Sequence, residues 1–96
     1  MRTRVKVCCI ASVEEARLAI GAGADAIGLV GAMPSGRTLP DDRIAEITAV
    51  VPPPVASFLL TSERTAEAIS AHVRRTRPTT VQIVTHIAPG ESARLA

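Results

Sequence analysis

The stretch VKVCCIASVEEARLAIGAGADAIGLV, residues 5–30, predicts a strand, a helix and a second strand in succession. Residues 5–10 and 26–30 are short and almost continuously apolar, which is typical of strands that are buried on both faces. The segment between them repeats its apolar side chains at helical spacing. Two buried strands joined by a crossover helix indicate a parallel βαβ unit, which is the building block of α/β folds.

The helix between these two strands has recognisable signals at both ends. Ser12 is followed three residues later by Glu15, and this pair forms a capping box that begins a helix. Gly21 and Gly23 end the helix, because glycine adopts the backbone conformations that close a helix at little cost. The sequence therefore predicts that the first helix lies between these two ends.

The rest of the chain repeats the same order of elements. Further strands are predicted at residues 55–60 and 80–84. A second helix is predicted to begin at Asp41 and Asp42, where the helix dipole favours carboxylates, and to end at prolines 52–54. The pattern thus contains four strands, each joined to the next by a helix.

The remaining segments complete this pattern. Residues 31–40 are rich in glycine and proline and predict a loop. A third helix is expected to be capped by Thr61 or Ser62 and closed by Pro78, and a fourth helix can begin at Glu91. A parallel sheet of this kind is either open, with helices on both faces, or part of a closed barrel.

The length of the chain limits the choice between these architectures. A closed (β/α)8 barrel takes roughly 200–250 residues, and this chain has 96. No linker or low-complexity segment divides it, so a single domain over residues 1–96 is expected. Three alternatives remain open from length and pattern, namely a fragment of a barrel, a half-barrel that pairs, and a small open sheet.

The composition argues against several classes of function. The net charge of +2 is too small to indicate a nucleic-acid or anionic-membrane partner, and Phe58, the only aromatic residue, offers no stacking platform for bases. No apolar run approaches the length of a membrane span, and the first residues do not resemble a signal peptide. The two cysteines are adjacent and cannot staple distant segments, so we expect a soluble, cytoplasmic protein.

Cys8 and Cys9 lie side by side at the end of the first predicted strand. Because side chains alternate along a strand, Cys8 shares a face with Lys6 and Ile10. Cys9 points to the opposite face and is expected to pack. Ligand sites in parallel α/β folds form at the C-terminal ends of strands, so Cys8 is a candidate base or nucleophile. The alternative is that both cysteines are small core residues.

Other polar residues have a structural and a functional interpretation. Lys6 either tunes Cys8 or, as we favour, pairs with a carboxylate. His72 is expected on the exposed surface of the third helix, whereas His86 follows a strand end and belongs either to a site or to a solvated loop. The arginines near the end of the third helix are most simply favoured there by the helix dipole; they are Arg74, Arg75 and Arg77.

Four short motifs resemble one family of barrel enzymes, the phosphoribosylanthranilate isomerases. KVCCI at residues 6–10 resembles the K-[IV]-C-G-[IL] of that family's first strand, and GADAIG at residues 23–28 resembles the G-A-D-A-[IVL]-G of its second. SGR at residues 35–37 falls where the family has an S-x-R loop, and VQI at residues 81–83 resembles its fourth strand, V-Q-L-H-G. The order and spacing of these motifs cover nearly the whole chain.

The resemblance implies a fold and an activity. It predicts a partial (β/α)8 TIM barrel of about four βα units of parallel sheet, in which residues 1–96 form the N-terminal half. The family catalyses an Amadori rearrangement of a small sugar-phosphate substrate, N-(5-phosphoribosyl)anthranilate, in tryptophan biosynthesis, with no cofactor and no metal. Cys8 matches the family's catalytic base, and Arg37 matches a loop arginine near the anthranilate end of the substrate.

The sequence departs from the family's pattern at several positions. Cys9 stands where the family has glycine, Ala11 where threonine or asparagine is usual, and Val84 where the fourth strand has histidine, with His86 two residues later. The family's general acid, an aspartate, and its phosphate loops lie in its second half. We therefore expect the 96-residue chain to be inactive alone.

Two alternatives follow from these departures. The chain is either a non-catalytic (βα)4 half-barrel that self-associates into a homo-oligomer, or part of a related barrel that acts on another sugar phosphate. An unpaired apolar strand at the edge of a sheet tends to aggregate unless it is covered. The missing C-terminal half-barrel or a second copy of the chain is therefore an expected partner.

Overall fold

The computed structural model describes residues 3–31 and 38–95, and in these ranges four strands alternate with four helices. The strands are β1 (Lys6–Val7), β2 (Ala26–Val30), β3 (Ala56–Thr61) and β4 (Thr80–Ile83). The helices are α1 (Val13–Gly21), α2 (Asp41–Thr48), α3 (Ala66–Thr76) and α4 (Pro89–Leu95). All neighbouring strands pair in parallel, in the order β1-β2-β3-β4. The predicted alternation of parallel strands and crossover helices is confirmed.

The core lies between one face of the sheet and the helices. Ile27 and Leu29 of β2 and Leu59 of β3 are fully buried on this face. Ile44 and Ile47 of α2 pack against them, three residues apart on one side of their helix. A fully buried aliphatic side chain of this size stabilises the fold by about 1.5–3 kcal/mol, so these five side chains contribute strongly to the stability of the sheet–helix interface.

The capping box of α1 forms as predicted, except that a different backbone amide donates to Glu15. The Ser12 hydroxyl accepts a hydrogen bond from the Glu15 amide at 3.1 Å. The Glu15 carboxylate in turn accepts from the amide of Ala11 at 2.8 Å, one residue before the cap. After the C-terminal end of α1, Gly23 has a φ of +103°, a backbone conformation that would be strained in a residue with a side chain.

The first strand is shorter than predicted because the backbone changes direction at Cys9. Its φ of +58° lies in the left-handed region, where regular alternation of side chains stops. Val7 packs against the core and Ile10 is buried in it, whereas Cys9 is exposed. The prediction that Cys9 packs was therefore wrong, and so was the prediction that Ile10 shares a face with Cys8.

Two helix boundaries also differ from the prediction. Because β3 continues to Thr61, α3 is capped by Thr65, whose hydroxyl accepts from the Ala68 amide at 3.1 Å. The predicted caps Thr61 and Ser62 were wrong. Helix α2 ends at Thr48, before the prolines that were expected to end it.

The left-handed conformation of Cys9 gives a testable prediction for stability. A residue with a Cβ pays roughly 1–2 kcal/mol in this conformation, and glycine does not, although glycine loses more backbone entropy on folding. We expect Cys9→Gly to raise the free energy of unfolding by about 0.5–1 kcal/mol, measured by urea titration under reducing conditions. Cys9→Ala keeps the Cβ and is the control, which should show no such gain. An equal gain in both variants would contradict the explanation.

Candidate functional site

The face of the sheet opposite the helices brings together polar side chains from both outer strands. The Lys6 ammonium donates a hydrogen bond to Oε1 of Gln82 at 2.6 Å, so that a side chain of β1 meets one of β4 across the two inner strands. The same ammonium lies 4.7 Å from the centre of the Phe58 ring of β3. This sheet face, which we call the inner face, carries Lys6, Cys8, Gly28, Phe58 and Gln82.

Cys8 lies directly after β1, at the C-terminal end of the strand where parallel α/β folds place their ligand sites. Cys8 is exposed, and its sulfur lies 3.0 Å from the position that a Cβ on Gly28 would occupy. The Cε of Lys6 lies 3.2 Å from that same position. Lys6 and Cys8 therefore share the inner face, as alternation along β1 predicted, and Gly28 leaves the room for both.

Lys6 has different partners from those we expected. The favoured interpretation was an ion pair with a carboxylate, but its hydrogen bond goes to the amide oxygen of Gln82. The face of the Phe58 ring provides a second favourable contact, because a cation is attracted to the electron-rich face of an aromatic ring. The prediction of a carboxylate partner was wrong, since Gln82 of the VQI motif takes that place.

The carboxylate of Asp25 has a structural partner. The Asp25 Oδ2 accepts a hydrogen bond from the Val5 amide at 2.7 Å and so holds the start of β1. An open cavity of about 380 Å³ lies nearby, at the amino ends of the strands, and is lined in part by Arg4, Phe58 and Thr80. Lys6 also lines this cavity, so it adjoins the inner face from the amino ends of the strands, which are the ends that serve stability in barrels.

Two of the remaining predicted residues lie at the Cys8 end, and one cannot be placed. Arg37 lies outside the described residues, and its role in binding stays a prediction. The ends of its loop are described: the Leu39 amide donates to the carbonyl of Val30 at 2.8 Å. His86 is exposed after β4, and Val84, which replaces the family's histidine, is 43% exposed.

His72 was predicted at the surface, but it is only 4% exposed. Its Nδ1 lies 2.9 Å from the hydroxyl of Thr61, and its Nε2 lies 2.9 Å from Oδ1 of Asp41. The prediction was wrong because His72 belongs to the buried side of α3, three residues after Ile69 and four before Thr76. That helical spacing was the signal in the sequence that could have placed it inside.

The hydrogen bonds fix which nitrogen of His72 carries the proton. The Asp41 carboxylate can only accept, so Nε2 donates to it and Nδ1 of the neutral ring accepts from the Thr61 hydroxyl. That hydroxyl accepts in turn from the amide of Glu63 at 3.2 Å. Arg75 donates from Nε to the other oxygen of Asp41 at 2.6 Å. Every polar atom of this network, from Thr61 through His72 to Asp41, has a partner.

Asp41 has a pKa below its ordinary value. Partial burial alone would raise its pKa, but the hydrogen bonds from Arg75 and His72 and the positive charge of Arg75 together outweigh burial. A carboxyl whose pKa is lower in the folded state stabilises the fold above the unfolded pKa. That stabilisation is lost as the pH falls through the folded pKa.

This shift predicts how stability depends on pH. Between pH 7 and about pH 3, which spans the ordinary pKa of an aspartate, the wild-type chain should lose stability more steeply than Asp41→Asn. Asp42→Asn is the matched control, because Asp42 is the exposed neighbour at the same helix start. Urea unfolding at several pH values measures the slopes. Equal slopes for wild type and Asp41→Asn would rule out this role for Asp41.

Gly28 gives a second prediction for the inner face. A methyl group there would lie 3.0 Å from the Cys8 sulfur and 3.3 Å from its Cα, closer than side chains normally approach. We expect Gly28→Ala to lower the free energy of unfolding by about 1–3 kcal/mol, as overpacking does. Gly21→Ala is the control, because nothing lies within 4 Å of a Cβ there. A loss of equal size in both variants would show that the space beside Cys8 is not what matters.

Two classes of feature are absent from the described part of the chain. Within residues 3–31 and 38–95, no group of three His, Cys, Asp or Glu side chains is placed to hold a metal ion. In the same ranges no helix has the length and apolar character that crossing a bilayer requires.

Comparison with known proteins points to one family. The chain is 42% identical to the N-(5'-phosphoribosyl)anthranilate isomerase of Methanocella arvoryzae over 82 residues, which are 84% of this chain and 38% of that protein. It is 33% identical to the isomerase of Halobacterium salinarum over 96 residues, 98% of this chain and 44% of that protein. No model of a protein family matches the chain. The chain thus spans less than half the length of these curated relatives.

Solved structures agree with the relatives. The phosphoribosylanthranilate isomerase of Thermotoga maritima superposes with a TM-score of 0.89 at 24% identity, over 98% of this chain and 46% of that one. The isomerase of Pyrococcus furiosus superposes with a TM-score of 0.87 at 26% identity, over 98% of this chain and 46% of that one. The four βα units are therefore half of a (β/α)8 barrel, and the resemblance to phosphoribosylanthranilate isomerases is confirmed.

Proposed function

We propose that this chain supplies the N-terminal half of a phosphoribosylanthranilate isomerase barrel, with residues 1–96 as a single domain and Cys8 as the catalytic base. The single observation that carries the proposal is the place of Cys8. Its exposed thiol follows β1 at the C-terminal end of the sheet, on the inner face, where barrel enzymes hold their substrates.

The proposed reaction uses Cys8 for one proton transfer. An acid first helps to open the ring of the aminated ribose to a Schiff base. The thiolate of Cys8 then takes the proton from the adjacent carbon, and the resulting enolamine becomes a ketone when a proton returns to the chain of the sugar. No electrons leave or enter, so the rearrangement needs no cofactor. A general base contributes typically 10²–10⁴-fold to such a rate.

Arg37 has the second role in the proposal. A guanidinium suits the carboxylate of the anthranilate group because its donors bind two oxygens at once. The loop that carries Arg37 leaves β2 at its C-terminal end, the same end of the sheet as Cys8. We therefore propose that the substrate lies between Cys8 and this loop, with its anthranilate end towards Arg37.

The test uses a chimaera that completes the barrel. The matching segment of the Methanocella arvoryzae isomerase is replaced by this chain, and conversion of N-(5-phosphoribosyl)anthranilate is followed by the fluorescence of its anthranilate group. We expect the chimaera to turn over substrate and Cys8→Ala to lower kcat by about 10²–10⁴-fold. Cys9→Ala, one residue away, is the control and should keep kcat.

Each result of this test bears on a different part of the proposal. A chimaera that melts cooperatively yet has no activity would overturn the proposed function and favour a barrel that acts on another sugar phosphate. Full activity in Cys8→Ala would be consistent with the proposed isomerase function but would show that Cys8 is not the base. The 96-residue chain by itself should show no turnover, because the resemblance places the general acid and the phosphate loops in the second half of the barrel.

A second candidate, a self-associating half-barrel without catalysis, is favoured by the outer strands. Val5 beside β1 is 51% exposed and Val84 after β4 is 43% exposed, so both edges of the sheet carry apolar side chains in contact with solvent. Edges of this kind bind further strands unless they are covered. This candidate predicts a homo-oligomer of the 96-residue chain. Sedimentation velocity measures its size, and a strictly monomeric species would count against it.

The proposal also includes a location and a set of partners. Two adjacent free cysteines suit a reducing compartment, which supports the cytoplasm. The proposed partners are a small sugar-phosphate substrate and either the C-terminal half-barrel or a second copy of the chain. We propose neither a nucleic acid nor a membrane as a partner, since the net charge of +2 offers little attraction to either.

A further inference from the structure

The connection between β2 and α2, residues 31–40, has both of its described ends against one buried side chain. Gly31 follows β2 directly, and a Cβ on it would lie 2.6 Å from Cε1 of His72. Asp41 begins α2, and its Oδ1 lies 2.9 Å from Nε2 of the same ring. His72 belongs to α3, so a side chain from outside the connection lies between its start and its end.

We propose that His72 is a positioning residue for the β2–α2 connection. The imidazole holds Asp41 on one side and packs edge-on against the backbone of Gly31 on the other, so it fixes the separation between the described start and end of the connection. The effect on substrate binding rests on the proposed function, because Arg37 is assigned there. The mechanical role does not depend on that assignment.

The ring is itself held rigidly enough for this role. Thr61, fully buried on β3, donates to Nδ1 and so fixes the orientation of the imidazole. Arg75 donates to the second oxygen of Asp41 and keeps that carboxylate from turning away. Since the ring is 4% exposed, water cannot readily replace either bond. His72 thus joins β3, α3 and the start of α2 through fully paired hydrogen bonds.

The absence of a side chain at Gly31 is the second observation that supports the role. The 2.6 Å separation is shorter than any real Cβ tolerates, so every residue other than glycine would push the ring away. The backbone bonds at the two ends of the connection report on this contact. The Gly31 amide donates to the carbonyl of Leu60 at 2.9 Å, and the Leu39 amide donates to Val30 at 2.8 Å.

The first test measures hydrogen exchange in the 96-residue chain. The rate for the Leu39 amide is compared with that for the Ile10 amide, which bonds to Gly28 away from His72. We expect His72→Leu to speed exchange at Leu39 about tenfold more than at Ile10, the factor that loss of one charge-assisted hydrogen bond corresponds to. Gly31→Ala should do the same from the other side of the contact, and His72→Gln, which still donates to Asp41, should have a smaller effect.

Ile69→Val is the matched control, since Ile69 lies in the same helix and its apolar side chain is fully buried. It should speed exchange at Leu39 and Ile10 by the same factor, as a general loss of stability does. Equal acceleration of the two amides in both His72→Leu and Gly31→Ala would overturn the positioning role.

The second test separates this role from the proposed function. In the chimaera, His72→Leu should raise KM about tenfold and change kcat by less than about twofold, because loss of positioning weakens binding without removing the base. A fall in kcat with unchanged KM would contradict a role through Arg37. If the unmodified chimaera is folded but inactive, the proposed function fails, while the exchange ratio still decides whether His72 positions the connection.

Discussion

A parallel sheet of apolar strands has to be covered on both faces, and in this chain the helices cover one of them. Ile27, Leu29 and Leu59 are fully buried on the covered face, and the buried polar side chains beside them, Ser57 and Thr61, are hydrogen-bonded. The inner face is different: it carries the ammonium of Lys6, the thiol of Cys8 and the amide of Gln82. The two faces therefore have different roles. The close-packed face leaves no space for a substrate, whereas the inner face exposes polar groups that can contact one.

Space on the inner face is set by a missing side chain. Lys6 and Cys8 both approach the position where Gly28 would have a Cβ, and a methyl group there would have to displace them by a few tenths of an ångström. The second glycine of the GADAIG motif, Gly28, is thus favoured by the side chains of the neighbouring strand, and not by an unusual backbone angle. The position of the proposed base follows from two motifs that lie about 20 residues apart in the sequence and meet through the pairing of Lys6 with Ala26.

Features governed by local patterns were predictable from the sequence. β2 was predicted with its observed bounds, and α1 with its observed cap at Ser12, because an apolar run and a capping box depend on residues close together in the chain. The apolar pattern also placed Cys8 at the end of a strand, and the resemblance added its proposed role as the base. The prediction that Cys9 packs failed because it assumed a regular strand. Cys9 has a left-handed backbone conformation, which residues with a side chain rarely adopt, so the surrounding fold imposes it.

His72, which was predicted at the surface and is buried, also shows that local patterns cannot predict tertiary contacts. His72 lies on the apolar stripe of α3, but its partners Thr61 and Asp41 are 11 and 31 residues away, so no local pattern could pair them. A buried imidazole without partners would be costly, which is why a histidine is assigned to the surface when its partners are unknown. Once the tertiary contacts supply them, burial becomes favourable and the ring can act as a spacer.

The inner face and the edges of the sheet are the surfaces of this half-barrel that closure into a complete barrel would cover. Closing a sheet into a barrel removes its edges and encloses the inner face. In this chain Val5 and Val84 mark the two edges that closure would cover, and the Lys6–Gln82 bond already links the edge strands across the inner face. The same bond runs beside Cys8 at the open side of the sheet. Whatever covers this face, whether a second half-barrel or another copy of the chain, therefore also determines which groups face the thiol and how much water reaches it.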